Sequence, residues 1–100
     1  MIQPRITYRL SQKADRDLEE IFDYTVREFG VDQAIAYVNG FEDVFAGLAA
    51  NPELGRKRNE IRNGLRSFVK GSHTVFYRIV KNHIRIVRIL HGCRDIIKFI

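Results

Sequence analysis

The hydrophobic period of this chain changes once, near Gly55, and that change limits what the chain can fold into. Before it, apolar residues recur every three or four positions; after it they alternate. The first pattern suits a helix packed on one face, the second a strand. The charge changes at the same place. Residues 1–55 hold five Lys/Arg against ten Asp/Glu, a balance of −5, and residues 56–100 hold twelve against two, a balance of +10. Helices and strands are thus carried by oppositely charged halves. The positive half creates a field that draws anionic partners: nucleic acid, a machine that works on nucleic acid, or an acidic protein segment. A merely solvated basic face is the alternative.

At 100 residues the chain is expected to form one domain, residues 1–100. Arg5 to Leu10 alternates Ile6, Tyr8 and Leu10 with Arg5, Thr7 and Arg9, which predicts a half-buried strand. Ser11 stands where a helix N-cap belongs, and Ala14, Leu18, Ile21, Phe22, Thr25, Val26 and Phe29 then mark one helical face. Gly30 stops that helix. Asp32 is expected to cap a second, with Val31 stapling onto Ala36 and Ala34, Tyr37, Val38, Phe41, Val44, Phe45 and Leu48 facing inward. Asn51-Pro52 ends it. Pro52 to Gly64 reads as a loop. Strands follow at Leu65–Val69, His73–Val80 and His83–Leu90, with Ile96–Ile100 a possible edge strand. Gly71-Ser72 and Lys81-Asn82 turn the chain between them, and Asn82 is the residue suited to positive φ. On β-strand parity Arg85 and Arg88, three apart, should point to opposite faces. The layout is β-αα-βββ(β): an α+β fold with a two-helix hairpin packed on a curved, mostly antiparallel sheet.

Several chemistries are not supported by the residue pattern. No apolar run reaches membrane-span length, no secretory leader is recognisable, and a single cysteine, Cys93, permits neither an internal disulfide nor a multi-cysteine zinc site. A cytoplasmic home is expected, with no membrane partner. His73, His83 and His91 lack metal-ligand spacing, and no glycine-rich phosphate loop occurs, so neither a metal nor a cofactor is expected. Glu19, Glu20 and Asp23 cluster on an outward helix face, and no base is spaced to activate Cys93. What remains is a set of cations on sheet elements: Arg62, Arg66, Arg78, Arg85 and Arg88, with His73 and His91. Arginine with a base can cleave RNA without a metal; the same arginines can bind a phosphate backbone or an acidic strand. They can also be spent internally on acidic helix residues such as Glu19, Asp23, Glu42 and Asp43.

The stretch Glu60-Ile61-Arg62-Asn63-Gly64-Leu65-Arg66, then Gly71-Ser72-His73-Thr74-Val75-Phe76-Tyr77-Arg78, then Ile84 to His91, resembles the ParE toxins of the RelE/ParE superfamily. Leu10-Ser11 through Ile21, Phe29-Gly30-Val31 and Asn51-Pro52-Glu53-Leu54-Gly55 are similar to the same family. The resemblance spans nearly the whole chain. It implies the toxin of a type II toxin–antitoxin system, neutralised by a ParD-type antitoxin and acting on DNA gyrase to block replication. Operator DNA would be reached only through the antitoxin. RelE relatives instead cleave messenger RNA on the ribosome, which gives the alternative reading of a ribosome-dependent endoribonuclease. Those nucleases usually carry a tyrosine near the C-terminus; after His91 this chain has none, which favours the binding-type, non-enzymatic branch. Leu65 stands where the ParE pattern often has an aromatic. The expected target-binding residues are Arg66, Arg78, Arg88 and His91, with no catalytic residue. Acidic antitoxin residues should meet the basic half.

Overall fold

The computed structural model describes residues 7–92 and residue 100. Strand β1 (Thr7–Leu10) leads into helix α1 (Gln12–Phe29) and helix α2 (Val31–Ala50). A short 3₁₀ turn at Pro52–Leu54 then leads to β2 (Arg56–Lys57), β3 (Leu65–Lys70), β4 (His73–Val80) and β5 (His83–His91). The strands form one sheet in the order β1-β5-β4-β3-β2. β1 runs parallel to β5, and every other pairing is antiparallel. The expected α+β layout is present. The expected strand at Ile96–Ile100 and the first two residues of Arg5–Leu10 lie outside the described residues.

Ser11 caps α1 as its position predicts, its Oγ accepting from the Ala14 N–H at 3.0 Å. The same hydroxyl donates to the Val87 carbonyl at 2.8 Å, so one serine starts the helix and pins it to β5. The hairpin is tighter than expected. Gly30 alone, at φ 93°, separates the helices, and it serves as both C-cap of α1 and N-cap of α2. Asp32 therefore lies inside α2 and makes no cap; the positive φ of Gly30 turns the chain directly from one helix into the next, and α2 starts without a side-chain cap.

The main core lies between the helices and the sheet. Phe41, Phe45 and Leu48 of α2 meet Val75 and Tyr77 of β4 and Ile84 and Ile86 of β5, all at 1 % exposure or less. Each such side chain contributes about 1.5–3 kcal/mol of burial. Tyr77 is anchored twice more: its hydroxyl accepts from the Gly55 N–H at 2.8 Å and donates to the Pro52 carbonyl at 2.7 Å. That clamp orders the segment expected to be a loop, so that Arg56 and Lys57 pair with Ser67 and Arg66 as β2. A second, smaller cluster sits on the opposite sheet face, where Leu65, Phe76 and Leu90 are covered by Ile61 and Ile100.

Two further expectations change. Lys81, not Asn82, carries positive φ in the β4–β5 turn, at 25°. The β4–β5 register also slips once: Phe76 faces Arg88 and Tyr77 faces Ile86, leaving Val87 as an extra residue. Such a bulge resets the parity of everything after it. Ile84 and Ile86 reach the main core, and so does Ile89, an odd step away. Arg85 and Arg88 are consequently not sent to opposite faces by their spacing. They register with Arg78 and Phe76, two positions apart on β4.

Candidate functional site

The cations singled out in the sequence separate into three groups. Arg88 belongs to the first, which is internal. Its Nε and Nη2 donate to the two oxygens of Asp17 at 2.8 and 2.9 Å, and the Ile89 N–H donates to the same carboxylate at 2.9 Å. β1 stops at Leu10, opposite Ile86, so beyond that point α1 takes over the edge of β5 and Asp17 supplies the missing acceptor. The bond to Asp17 pushes the Arg88 guanidinium above its already high ordinary pKa, against the opposing effect of burial. Arg66 is also spent within the fold: its Nη1 donates to the carbonyls of Gly55 at 2.9 Å and Glu53 at 3.3 Å. Its contact with the Glu53 carboxylate is loose, at 4.0 Å. Arg66 and Arg88, two of the four expected target-binding residues, therefore hold the molecule together.

The second group surrounds a groove of about 440 Å³ between α1 and the end of β5, bordered by Asp17, Glu20, Tyr24, Arg88, His73 and His91. The two histidines, eighteen residues apart, face each other across β4 and β5 with ring centroids 5.1 Å apart. His73 Nδ1 is hydrogen-bonded to the Tyr37 hydroxyl at 2.7 Å, and its ring also lies edge-on to Phe41. Burial and then the neighbouring His91 push the His73 pKa down to about 4; Asp17 opposes this, and Lys70 adds a smaller downward push. His73 is thus neutral at physiological pH. Burial likewise raises the Tyr37 hydroxyl, which stays protonated as a hydrogen-bonding group. Lys70 lies 4.9 Å from the centre of the Tyr37 ring, a cation–π contact closing this corner. His91 is exposed. Among the described residues no group of three or more His, Cys, Asp or Glu is placed to hold a metal ion.

The third group is the open sheet face. Arg78 and Arg85 are exposed and directly opposite one another. Arg58 reaches Ser67 at 3.3 Å and Glu60 at 2.7 Å, and Arg62 donates to the Ile100 carbonyl. The acids suggested as internal partners, Glu19, Asp23, Glu42 and Asp43, all stay exposed. The helix acid that pairs with a sheet arginine is Asp17, through Arg88. A signal was present: Asp17 lies three residues after Ala14 and four before Ile21, on the apolar stripe, where a carboxylate requires a partner.

Among the described residues no helix is long and apolar enough to cross a membrane. The family model described as ParE toxin of type II toxin–antitoxin system, parDE, matches residues 8–96. Toxin ParE1 of Mycobacterium tuberculosis is 44 % identical over 90 residues, covering 89 % of this chain and 92 % of that protein. Toxin ParE1 of Caulobacter vibrioides is 38 % identical over 84 residues, covering 84 % and 86 %. The fold is shared with a chain of the chromosomal ParDE system of P. aeruginosa, at TM-score 0.77 and 22 % identity over 91 % of this chain and all of that one. It is also shared with a chain of the RelBE2 toxin–antitoxin complex of M. tuberculosis, at TM-score 0.62 and 21 % identity, covering 87 % and 98 %. A sequence match over almost the entire chain, together with the same two-helix hairpin on the same sheet, identifies it as a member of the ParE toxin family of type II toxin–antitoxin systems.

Proposed function

We propose that this chain, one toxin domain over residues 1–100, arrests growth by binding DNA gyrase and blocking replication, without chemistry of its own. The observation that supports binding over cleavage is the separation of charge from proton transfer. The exposed pair Arg78 and Arg85 lies five positions along β4 from His73, roughly 17 Å at the rise of an antiparallel strand. A general base has to lie within hydrogen-bond reach of the proton it removes. Among the described residues bordering the groove with the histidines, the arginine is Arg88, already held by Asp17, and His73 is occupied by Tyr37. Arg78 and His91 remain as exposed members of the expected target surface. Gyrase acts in the cytoplasm, and so would this chain.

A ParD-type antitoxin would neutralise it. Tyr24, Phe29, Val31 and Ile35 leave an apolar strip on the helical hairpin, each at least 46 % exposed. The groove between α1 and β5 lies beside Tyr24. An amphipathic antitoxin helix suits the strip, and acidic residues flanking it suit the basic half. Operator contact would come through that antitoxin.

The test is a supercoiling assay with purified chain and gyrase, followed by addition of the antitoxin. Loss of supercoiling or accumulation of cleaved DNA, reversed by the antitoxin, is expected. No effect at stoichiometric excess of the chain overturns the reading. The second reading, a ribosome-dependent messenger-RNA endoribonuclease, draws on His91 and Arg88 sharing one groove. Primer extension on ribosome-bound messages distinguishes it, because intact messages during growth arrest remove it.

A further inference from the structure

β1 pairs with β5 so that Arg9 stands opposite Arg85, and β5 pairs with β4 so that Arg85 stands opposite Arg78. Three arginines therefore form one row across three adjacent strands, at right angles to the chain direction. With strands about 4.8 Å apart, the row spans roughly 10 Å between its outer Cα atoms. All three are exposed. Among the described residues the side-chain ion pairs are those of Arg58, Arg66 and Arg88, and none involves the row. The next position across the sheet is Leu65, opposite Arg78, where the small apolar cluster begins.

Like charges directly opposite one another on a sheet destabilise it. Folding brings Arg9 of the acidic half beside two arginines of the basic half, and among the described residues no carboxylate forms an ion pair with them. An anion bound from outside offsets that repulsion, and a guanidinium row suits phosphate groups, each of which it can grip in bidentate fashion. Over 10 Å of axis a DNA duplex presents roughly six phosphate charges. A single strand binds differently, by stacking its bases on aromatic side chains. Among the described residues the exposed aromatics are Tyr24 and Phe29, which belong to α1 and not to the sheet. A surface of cations without aromatics matches the outside of a duplex, where phosphates are presented and bases are not.

From this we infer that the row Arg9–Arg85–Arg78 is a binding site for the phosphate backbone of duplex DNA, engaged without sequence preference. The inference is independent of the gyrase reading, because protein and DNA alone suffice to test it. Anisotropy of a labelled 20-base-pair duplex is followed with the full chain from 50 to 200 mM salt. Three phosphates neutralised give a slope of log affinity on log salt of about −2.7, or a loss of roughly 40-fold over that range. The variant Arg9→Gln/Arg78→Gln/Arg85→Gln should lose most of that slope. It should also melt no lower than the parent, since it removes repulsion and no contact. The control Lys13→Gln/Arg16→Gln/Arg27→Gln makes the same change in net charge on exposed positions of α1 and should bind as the parent does. Absence of salt-dependent duplex binding by the parent chain overturns the proposal, as does equal loss in both variants. A lowered melting temperature of the row variant overturns its physical basis. Tighter row-dependent binding of single-stranded RNA or of polyglutamate under the same conditions also overturns it, in favour of that other occupant.

Discussion

Replacing Asp17 with alanine probes the linkage that ties α1 to β5 through a buried ion pair. The carboxylate accepts three hydrogen bonds, two from Arg88 and one from the Ile89 amide, and the side chains of Asp17 and Arg88 are 9 % and 15 % exposed. Removing one partner of a buried pair costs about 3–5 kcal/mol, since the other charge loses its close counter-charge. Arg88 borders the groove beside α1, so water can reach part of the guanidinium and the lower end of that range applies, about 3 kcal/mol. A domain of this size has about 5–15 kcal/mol in total and shifts its midpoint by roughly 4–8 °C per kcal/mol. The expected fall is therefore about 12–24 °C, read by circular dichroism melting and by urea midpoints at constant m. The double variant Asp17→Leu/Arg88→Met removes both charges and should be more stable than Asp17→Ala alone. A loss below about 1 kcal/mol for Asp17→Ala, or strict additivity in the cycle with Arg88→Met, would refute the reasoning, because either result means the two groups do not interact.

Three further outcomes follow from the same geometry. Tyr77→Phe leaves the Gly55 amide and the Pro52 carbonyl without their partner and should cost about 1–3 kcal/mol in urea unfolding, with Arg56–Lys57 losing amide-exchange protection first. Gly55→Ala should cost a similar amount by a different route, because a methyl group there would overlap the Tyr77 ring. His73, with its pKa near 4 when folded and near 6.5 when unfolded, makes stability depend on pH. The unfolded chain binds the extra proton between those values, so the stability from a neutral His73 is full above about 6.5 and is lost as pH falls toward 4. Partial solvation of the ring keeps the effect to about 1–2 kcal/mol. Urea midpoints of the parent and His73→Gln should converge across that window, and a constant gap would show that His73 does not titrate there.

The fold was legible because each half keeps one period. The apolar stripe of α1 and α2, the serine at the first cap and the alternation of β4 all follow from local spacing, and local spacing is visible in a sequence. Where the chain departs from those rules, the cause lies elsewhere in the molecule. Gly30 joins the helices with no further linker residue, so Asp32 never reaches a cap position. β2 exists because Tyr77, twenty-two residues beyond Gly55, holds the preceding turn in place. Lys81 takes the positive φ of a two-residue turn whose geometry is set by the strands on either side.

The site was legible only as a composition, since an arginine acquires its role from register. Arg85 and Arg88 look alike in sequence, three apart in one strand. The extra residue at Val87 removes the parity that would part them, and their neighbours decide instead: Arg85 lies beside Arg9 of β1 in an outward row, while Arg88 lies past the end of β1 and is held by Asp17. Charge reversal at Arg78 plus Arg88 would therefore break the Asp17 linkage and destabilise the chain, so that a loss of antitoxin binding would not report on the basic face. The informative reversal is Arg78→Glu/Arg85→Glu, which alters the open face and leaves Asp17 its partner. If acidic antitoxin residues dock on that face, the association rate should fall at low salt and the difference from the parent should fade as salt rises, because long-range attraction is screened within about 8 Å at physiological ionic strength. An association rate unchanged at low salt would place the antitoxin's contacts on the apolar strip of the hairpin, and the basic face would then be free for a second partner in the neutralised complex.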